Sequence, residues 1–211
     1  MNYIENIYIC IAAPLIVSIL CLRGRRRRSM LFFLGGMTAC LAASYISTFL
    51  AMLHGADMTM ASIEISPMVE EILKLAPVLF YILVLEPEKE EIMGTMLMVS
   101  VGFATFENCC YILTAGAGSL PYILVRGLAV GVMHIVSILA LSIWLIVAKR
   151  LKAFSFPAVV GGLSLAMIFH ALYNLLVSQP GVSTVIGYLM PLLTAAAFWL
   201  LYRKLPQIFE A

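Results

Sequence analysis

Long apolar runs, separated by short polar punctuation, dominate the chain. Seven stretches reach the length of about 20 residues that a membrane-crossing helix needs: 3–22, 30–53, 67–85, 92–114, 122–148, 156–177 and 184–202. Hydrocarbon admits only helices and closed barrels, because every backbone polar group must be paired internally. Barrel strands alternate apolar and polar positions over about ten residues. These runs are continuous and nearly twice as long, so they read as helices. The third is the most interrupted, by Glu70, Glu71 and Lys74, and Pro77 inside it should free the Leu73 carbonyl and kink the helix. Connections are short, no linker divides the chain, and no internal repeat is visible. The expectation is an all-α, polytopic membrane helical bundle of about seven transmembrane helices. It forms a single membrane-embedded domain over 1–211, with its chemistry at about 67–177.

Composition removes the other classes. Hydrophobic residues make up 63% and charged residues 11%, against about half and a quarter in a soluble domain. So much apolar surface excludes a soluble globule and a disordered chain. A net charge of +2, with the arginines in one short run, gives no nucleic-acid partner; the partner is the lipid bilayer. Outside the spans, Lys and Arg lie at Arg23, Arg25–Arg28, Lys89, Lys149, Arg150, Lys152, Arg203 and Lys204, and none lies in 54–66, 115–121 or 178–183. The positive-inside rule then puts the N-terminus outside and the C-terminus in the cytoplasm. The acidic run 86–91 falls inside but weighs little in that rule. The arginine run reads as a topology determinant against anionic headgroups. Because Glu5 precedes the first apolar run and the arginines follow it, that run is not a cleavable signal peptide. The five cysteines and thirteen methionines read as packing residues.

Ionisable residues inside spans cost roughly 2.5–3.5 kcal/mol each on insertion scales, and by default mark function. Here they are Glu70, Glu71, Lys74, Glu107, Arg126, His134 and His170, accompanied by Asn108 and Asn174. Glu70 and Lys74, four apart, share a face and should pair, leaving Glu71 as the favoured general base. Phe103 lies one turn before Glu107, and Gly127 and Gly131 form a small-xxx-small pair for close helix approach. Arg126 reads as a snorkelling side chain. Counting about 1.5 Å per residue from the outer boundaries, Glu70 and Asn174 lie roughly 5 Å deep, Glu107 and His170 roughly 10 Å, and His134 about 18 Å. Helices running in opposite directions thus converge on one polar pocket opening to the outside.

Two carboxylates, two histidines and an asparagine suit hydrolysis. A carboxylate can take a proton from water, and His170 with Asn174, one turn apart, can donate to a tetrahedral oxyanion. The same residue types could hold zinc, through Glu71, His134 and His170. With no H-E-x-x-H present, however, the residues favour glutamate-activated water and no cofactor. His54, Asp57 and Glu64 match no metal spacing and read as a solvated loop.

These residues also resemble a known family. Glu70-Glu71-Ile72-Leu73-Lys74 resembles the E-E-x-x-K motif of the PrsW-type intramembrane proteases, and Phe103–Asn108, read F-A-T-F-E-N, their F-x-x-x-E-N motif. His134 matches a lone histidine in the next helix, and His170 with Asn174 resembles the H-x-x-x-N motif that follows. The order along the chain is the same, and the resemblance covers about half of it. It implies a catalytic set of Glu70, Glu71, Glu107, His134, His170 and Asn174, supported by Lys74, Phe103 and Asn108. It further implies an endopeptidase of the bacterial plasma membrane that cuts a single-span membrane protein, commonly an anti-sigma factor, near its extracytoplasmic face in stress signalling. The related CAAX prenyl endopeptidases carry a histidine where this chain has Glu107. Two other classes compete: a catalytically silent helix-binding scaffold, and a proton-coupled transporter, which should show inverted repeats. A retinal-type receptor would need a lysine in 184–202, and there is none.

Overall fold

The computed structural model describes residues 4–85, 89–116, 118–150 and 156–204. Lys152, used above to orient the chain, and residues 86–88 of the acidic run lie outside these. The described residues form helices and short turns, with no strand among them. In order they are α1 (Ile4–Cys21), α2 (Gly24–His54), α3 (Met58–Met60), a π-helical turn (Ala61–Ile65), α4 (Ser66–Leu85), α5 (Lys89–Ala115), α6 (Leu120–Arg150), α7 (Phe156–Ser178) and α8 (Val182–Lys204).

Six of these helices are long and apolar enough to cross a membrane. Helix α4 falls outside that group because it carries three charges. At 20 residues it is about 30 Å long, the thickness of a hydrocarbon core. It turns Glu71 and Lys74 wholly inward, while Phe80 and Leu83 stay exposed. Leu20, Phe49, Leu124, Ile168 and Leu193 are exposed on the other helices. The outer surface is therefore an apolar belt, as lipid requires.

Helix α2 runs past the predicted boundary at residue 30 and takes Arg25–Arg28 into its first turns, since arginine is a good helix former. Gly55, in the left-handed region at φ 62°, ends it. The segment expected to be a loop, 54–66, is largely helical. Asp57 caps α3 by accepting from the Met60 amide at 2.8 Å, and the π turn then leads into α4. Pro67 accounts for the π turn. It donates no hydrogen bond, and its ring would press on the carbonyl four residues back; a locally widened coil relieves both.

Helix α5 lies between α2 and α6, α6 packs on α7 and α8, and α4 leans across α2, α5 and α7. The closest helix approach is not at the predicted Gly127–Gly131 pair, since a Cβ on Gly131 would meet nothing within 4 Å. It is between α2 and α5, where a Cβ on Gly36 would overlap the Val99 carbonyl and one on Gly102 the Phe33 carbonyl. That contact sets Phe103 against Met37 and Cys40 in a buried cluster. At the arginine end, Arg28 and the Tyr81 hydroxyl both donate to Glu91, which ties the start of α2 and the end of α4 to α5.

Candidate active site

Helices α4, α5, α6 and α7 bring five of the six predicted catalytic side chains together. Glu71, Lys74 and His134 are completely buried, and His170 nearly so. Lys74 pairs with Glu71 and not with Glu70: its Nζ donates to Glu71 Oε1 at 2.6 Å. The i, i+3 partner wins because Glu71 and Lys74 both face α6. There Lys74 Nζ also donates to His134 Nδ1 at 2.9 Å, and its ammonium rests over the Phe103 ring at 5.0 Å.

This network orders donors and acceptors. An ammonium has no acceptor, so His134 Nδ1 accepts, and His134 Nε2 carries the hydrogen given to Glu107 Oε2 at 2.5 Å. On the other side, His170 Nδ1 donates to Glu71 Oε1 at 2.8 Å. That leaves His170 Nε2 facing Glu70 Oε2, 3.7 Å away. Such a separation is beyond hydrogen-bond reach, and Glu70 Oε2 is buried with no partner. The two imidazoles meet edge to face, with centroids 5.0 Å apart. Ser137, missed by the sequence reading, bonds the His134 carbonyl at 3.0 Å and stands 3.4 Å from both Glu71 oxygens.

A cavity of about 590 Å³ opens on this cluster. Its lining includes Glu70, Phe103 and Glu107, α2 residues from Cys40 to Met52, and Gly55, Ala56 and Met58. The last three lie past the end of α2 remote from the arginine run.

Three expectations need correction. Asn174 does not face the reacting groups, because its Nδ2 donates to the Ser62 carbonyl at 2.8 Å and holds the π turn against α7. Arg126 does not snorkel. Its side chain is 14% exposed, donates to Asn108 Oδ1 at 2.7 Å, stands 3.9 Å from Glu107 Oε1 and stacks on Tyr111. Finally, the group able to hold a metal is Glu70, His134 and His170, whose ligand atoms lie within 4.8 Å of one another. Glu71 is not in it, since its Oε1 is already bonded to Lys74 and His170. His54, Asp57 and Glu64 are exposed and form no such group among the described residues.

The model of the PrsW-protease family, described as "PrsW family intramembrane metalloprotease", matches residues 25–201. The chain belongs to this family. It is therefore a multi-pass membrane peptidase whose substrates are membrane proteins. The match extends from the start of α2 into α8, well beyond the four motifs. No curated protein and no solved structure matches the chain. The family's description as metalloproteases agrees with the donor set. Glu70 Oε2 is an orphaned buried carboxylate oxygen, and His170 Nε2 faces it. Glu71, on His170 Nδ1, stands where a carboxylate would orient a metal-binding histidine.

Proposed function

We propose that this chain is an endopeptidase of a bacterial plasma membrane, active as one membrane-embedded domain. Its substrate is a single-span protein such as an anti-sigma factor, cut near the extracytoplasmic face. The reading rests above all on one observation: two carboxylates, Glu70 and Glu107, line the wall of a cavity at the α2 end opposite the arginines, with a buried histidine pair behind them. The lysine and arginine asymmetry makes that end extracytoplasmic.

Glu70 and His170 would hold a divalent metal such as zinc, which when bound would supply Lewis acidity to the peptide carbonyl; His134 is the third member of the group and would join them only by giving up its bond to Glu107. Glu107 takes the proton from the attacking water and passes it to the leaving amine. Glu71 and Lys74 act behind this layer, setting the rings of His170 and His134. Arg126 holds Glu107 to the wall, and Asn174 positions the π turn at the rim of the cavity.

The test is cleavage of single-span reporters by the purified protein in nanodiscs, followed by mass spectrometry of the products. Wild type should yield two fragments cut at the extracytoplasmic end of the span. Glu107→Gln should lose activity by about 100-fold or more. Equal cleavage by Glu107→Gln and wild type would remove Glu107 from the chemistry. A cut at the cytoplasmic end would overturn the orientation.

A further inference from the structure

Helix α2 lies outside the four motifs, yet it contributes much of the cavity lining. Cys40, Ser44, Ser47, Thr48 and Ala51 recur along it at helical spacing and line the same space as Glu70 and Glu107. Three hydroxyls in the lining are occupied by nearby backbone. Ser44 donates to the Leu41 carbonyl, Thr48 to the Ser44 carbonyl and Ser62 to the Thr59 carbonyl, at 2.8, 2.6 and 2.9 Å. Ser47 differs. It is 7% exposed, and its Oγ is buried with no partner. Buried polar atoms without partners are rare and call for an explanation. Among the described residues, the other buried unpartnered side-chain oxygen in this lining belongs to Glu70.

The substrate supplies the explanation. A peptide bond inside a transmembrane helix has its carbonyl engaged in the helix and shielded by neighbouring turns. Hydrolysis therefore requires a few residues to unwind. Unwound backbone at membrane depth must find partners in the protein or in a water-filled cavity. We propose that Ser47 is a substrate-positioning residue whose hydroxyl hydrogen-bonds the backbone of the unwound segment in the space that Glu70 and Glu107 also line. The small side chains beside it (Ser44, Ala51, Ala61, Ser62) leave room for an extended chain with small residues at the cut. The thioethers of Met52 and Met58, exposed and in the same lining, suit varied flanking residues. The inference rests on the proteolytic reading above and adds to it the substrate's bound conformation and one recognition group.

Kinetics and cross-linking on single-span reporters in nanodiscs test it. Ser47→Ala should lower kcat/KM about 3–10-fold, the value of one neutral hydrogen bond. The change should fall mainly in KM, with the unfolding temperature unchanged or raised because an orphaned hydroxyl is gone. In a cysteine-free background that also carries Glu107→Gln, the thiol introduced by Ser47→Cys should form disulfides with cysteines at alternate positions of the reporter's cleavage segment. That period of two marks an extended chain. Cross-links every third or fourth position would mean a helical substrate and overturn the proposal, as would wild-type kcat/KM in Ser47→Ala. Wild-type cleavage with an indifferent Ser47→Ala removes only this assignment. A wild-type protein that cleaves none of the reporters removes the proteolytic reading together with it.

Discussion

Glu70 and Glu71 are adjacent in sequence and opposite in circumstance, so one isosteric change at each should separate stability from activity. Glu71 Oε1 accepts from Lys74 Nζ at 2.6 Å and from His170 Nδ1 at 2.8 Å in a fully buried position. Glu71→Gln keeps an acceptor oxygen there but removes the charge. A hydrogen bond to a charged group is worth about 1.5–3 kcal/mol and a neutral one about 0.5–1.5, so two weakened bonds cost about 2–3 kcal/mol. Lys74 is then left as a buried cation without its anion, and breaking a buried pair outright costs about 3–5 kcal/mol. At about 2–4 °C per kcal/mol for a chain of this size, Tm should fall by about 5–15 °C. Glu70 Oε2 has no partner to lose, so Glu70→Gln should leave Tm within about 2–4 °C of wild type, the equivalent of about 1 kcal/mol. It should nevertheless cut turnover about 100-fold or more, as removal of a group at the reacting atoms does. Thermal unfolding in detergent and reporter cleavage in nanodiscs, run on the same preparations, give both numbers. A stable Glu71→Gln beside an unstable Glu70→Gln would refute the assigned pairing. Full activity in Glu70→Gln would refute its place at the site.

Metal content provides a readout that does not depend on activity. Elemental analysis of the purified protein should find about one zinc or similar divalent ion per chain, lost in His170→Ala and kept in Asn174→Ala; undiminished cleavage after exhaustive chelation would rule the metal out. Arg126→Leu releases Glu107 and Asn108 and should lower kcat about tenfold with little change in KM, since misplacing a reacting group mainly raises the barrier; an unchanged kcat would return Arg126 to a packing role. Gly36→Ala and Gly102→Ala each drive a Cβ into a facing carbonyl and should cost about 1–3 kcal/mol by overpacking, visible as a lower Tm. Gly131→Ala, with open space before it, should unfold at the wild-type temperature.

The parts legible in the sequence are those set by the bilayer. Run length gives the helices, and polar residues at matching depth on four consecutive helices give the polar cluster. What stayed hidden depends on helix rotation and close packing. Glu70 and Glu71 are equally able to meet Lys74 by spacing, at four and three residues. Only the face that α4 turns toward α6 decides between them, and that is a tertiary fact. Glycine spacing likewise names Gly127 and Gly131, whereas the tight crossing uses Gly36 and Gly102, which lie on different helices and so leave no local pattern. Arg126 could be counted near the interface, but its downward reach to Asn108 and Glu107 follows from the α5–α6 contact. One missed feature did have a local signal. Asp57, three residues before Met60, is a helix N-cap pattern, and Pro67 marks where the following coil must widen.

The charges themselves give a further argument for what the site holds. An uncompensated charge is costly inside a membrane, and the described residues neutralise one another in pairs. Lys74 sits on Glu71, and Arg126 stands by Glu107. Glu70 is left over: its charged-group contact among the described residues is His170 Nε2, at 3.7 Å, across the ring from the nitrogen that bonds Glu71. At that separation neither satisfies the other by a hydrogen bond. A cation between them would satisfy both. The orphaned oxygen and the unbalanced carboxylate are thus one requirement seen from two sides, and the divalent metal proposed at Glu70 and His170 would meet it.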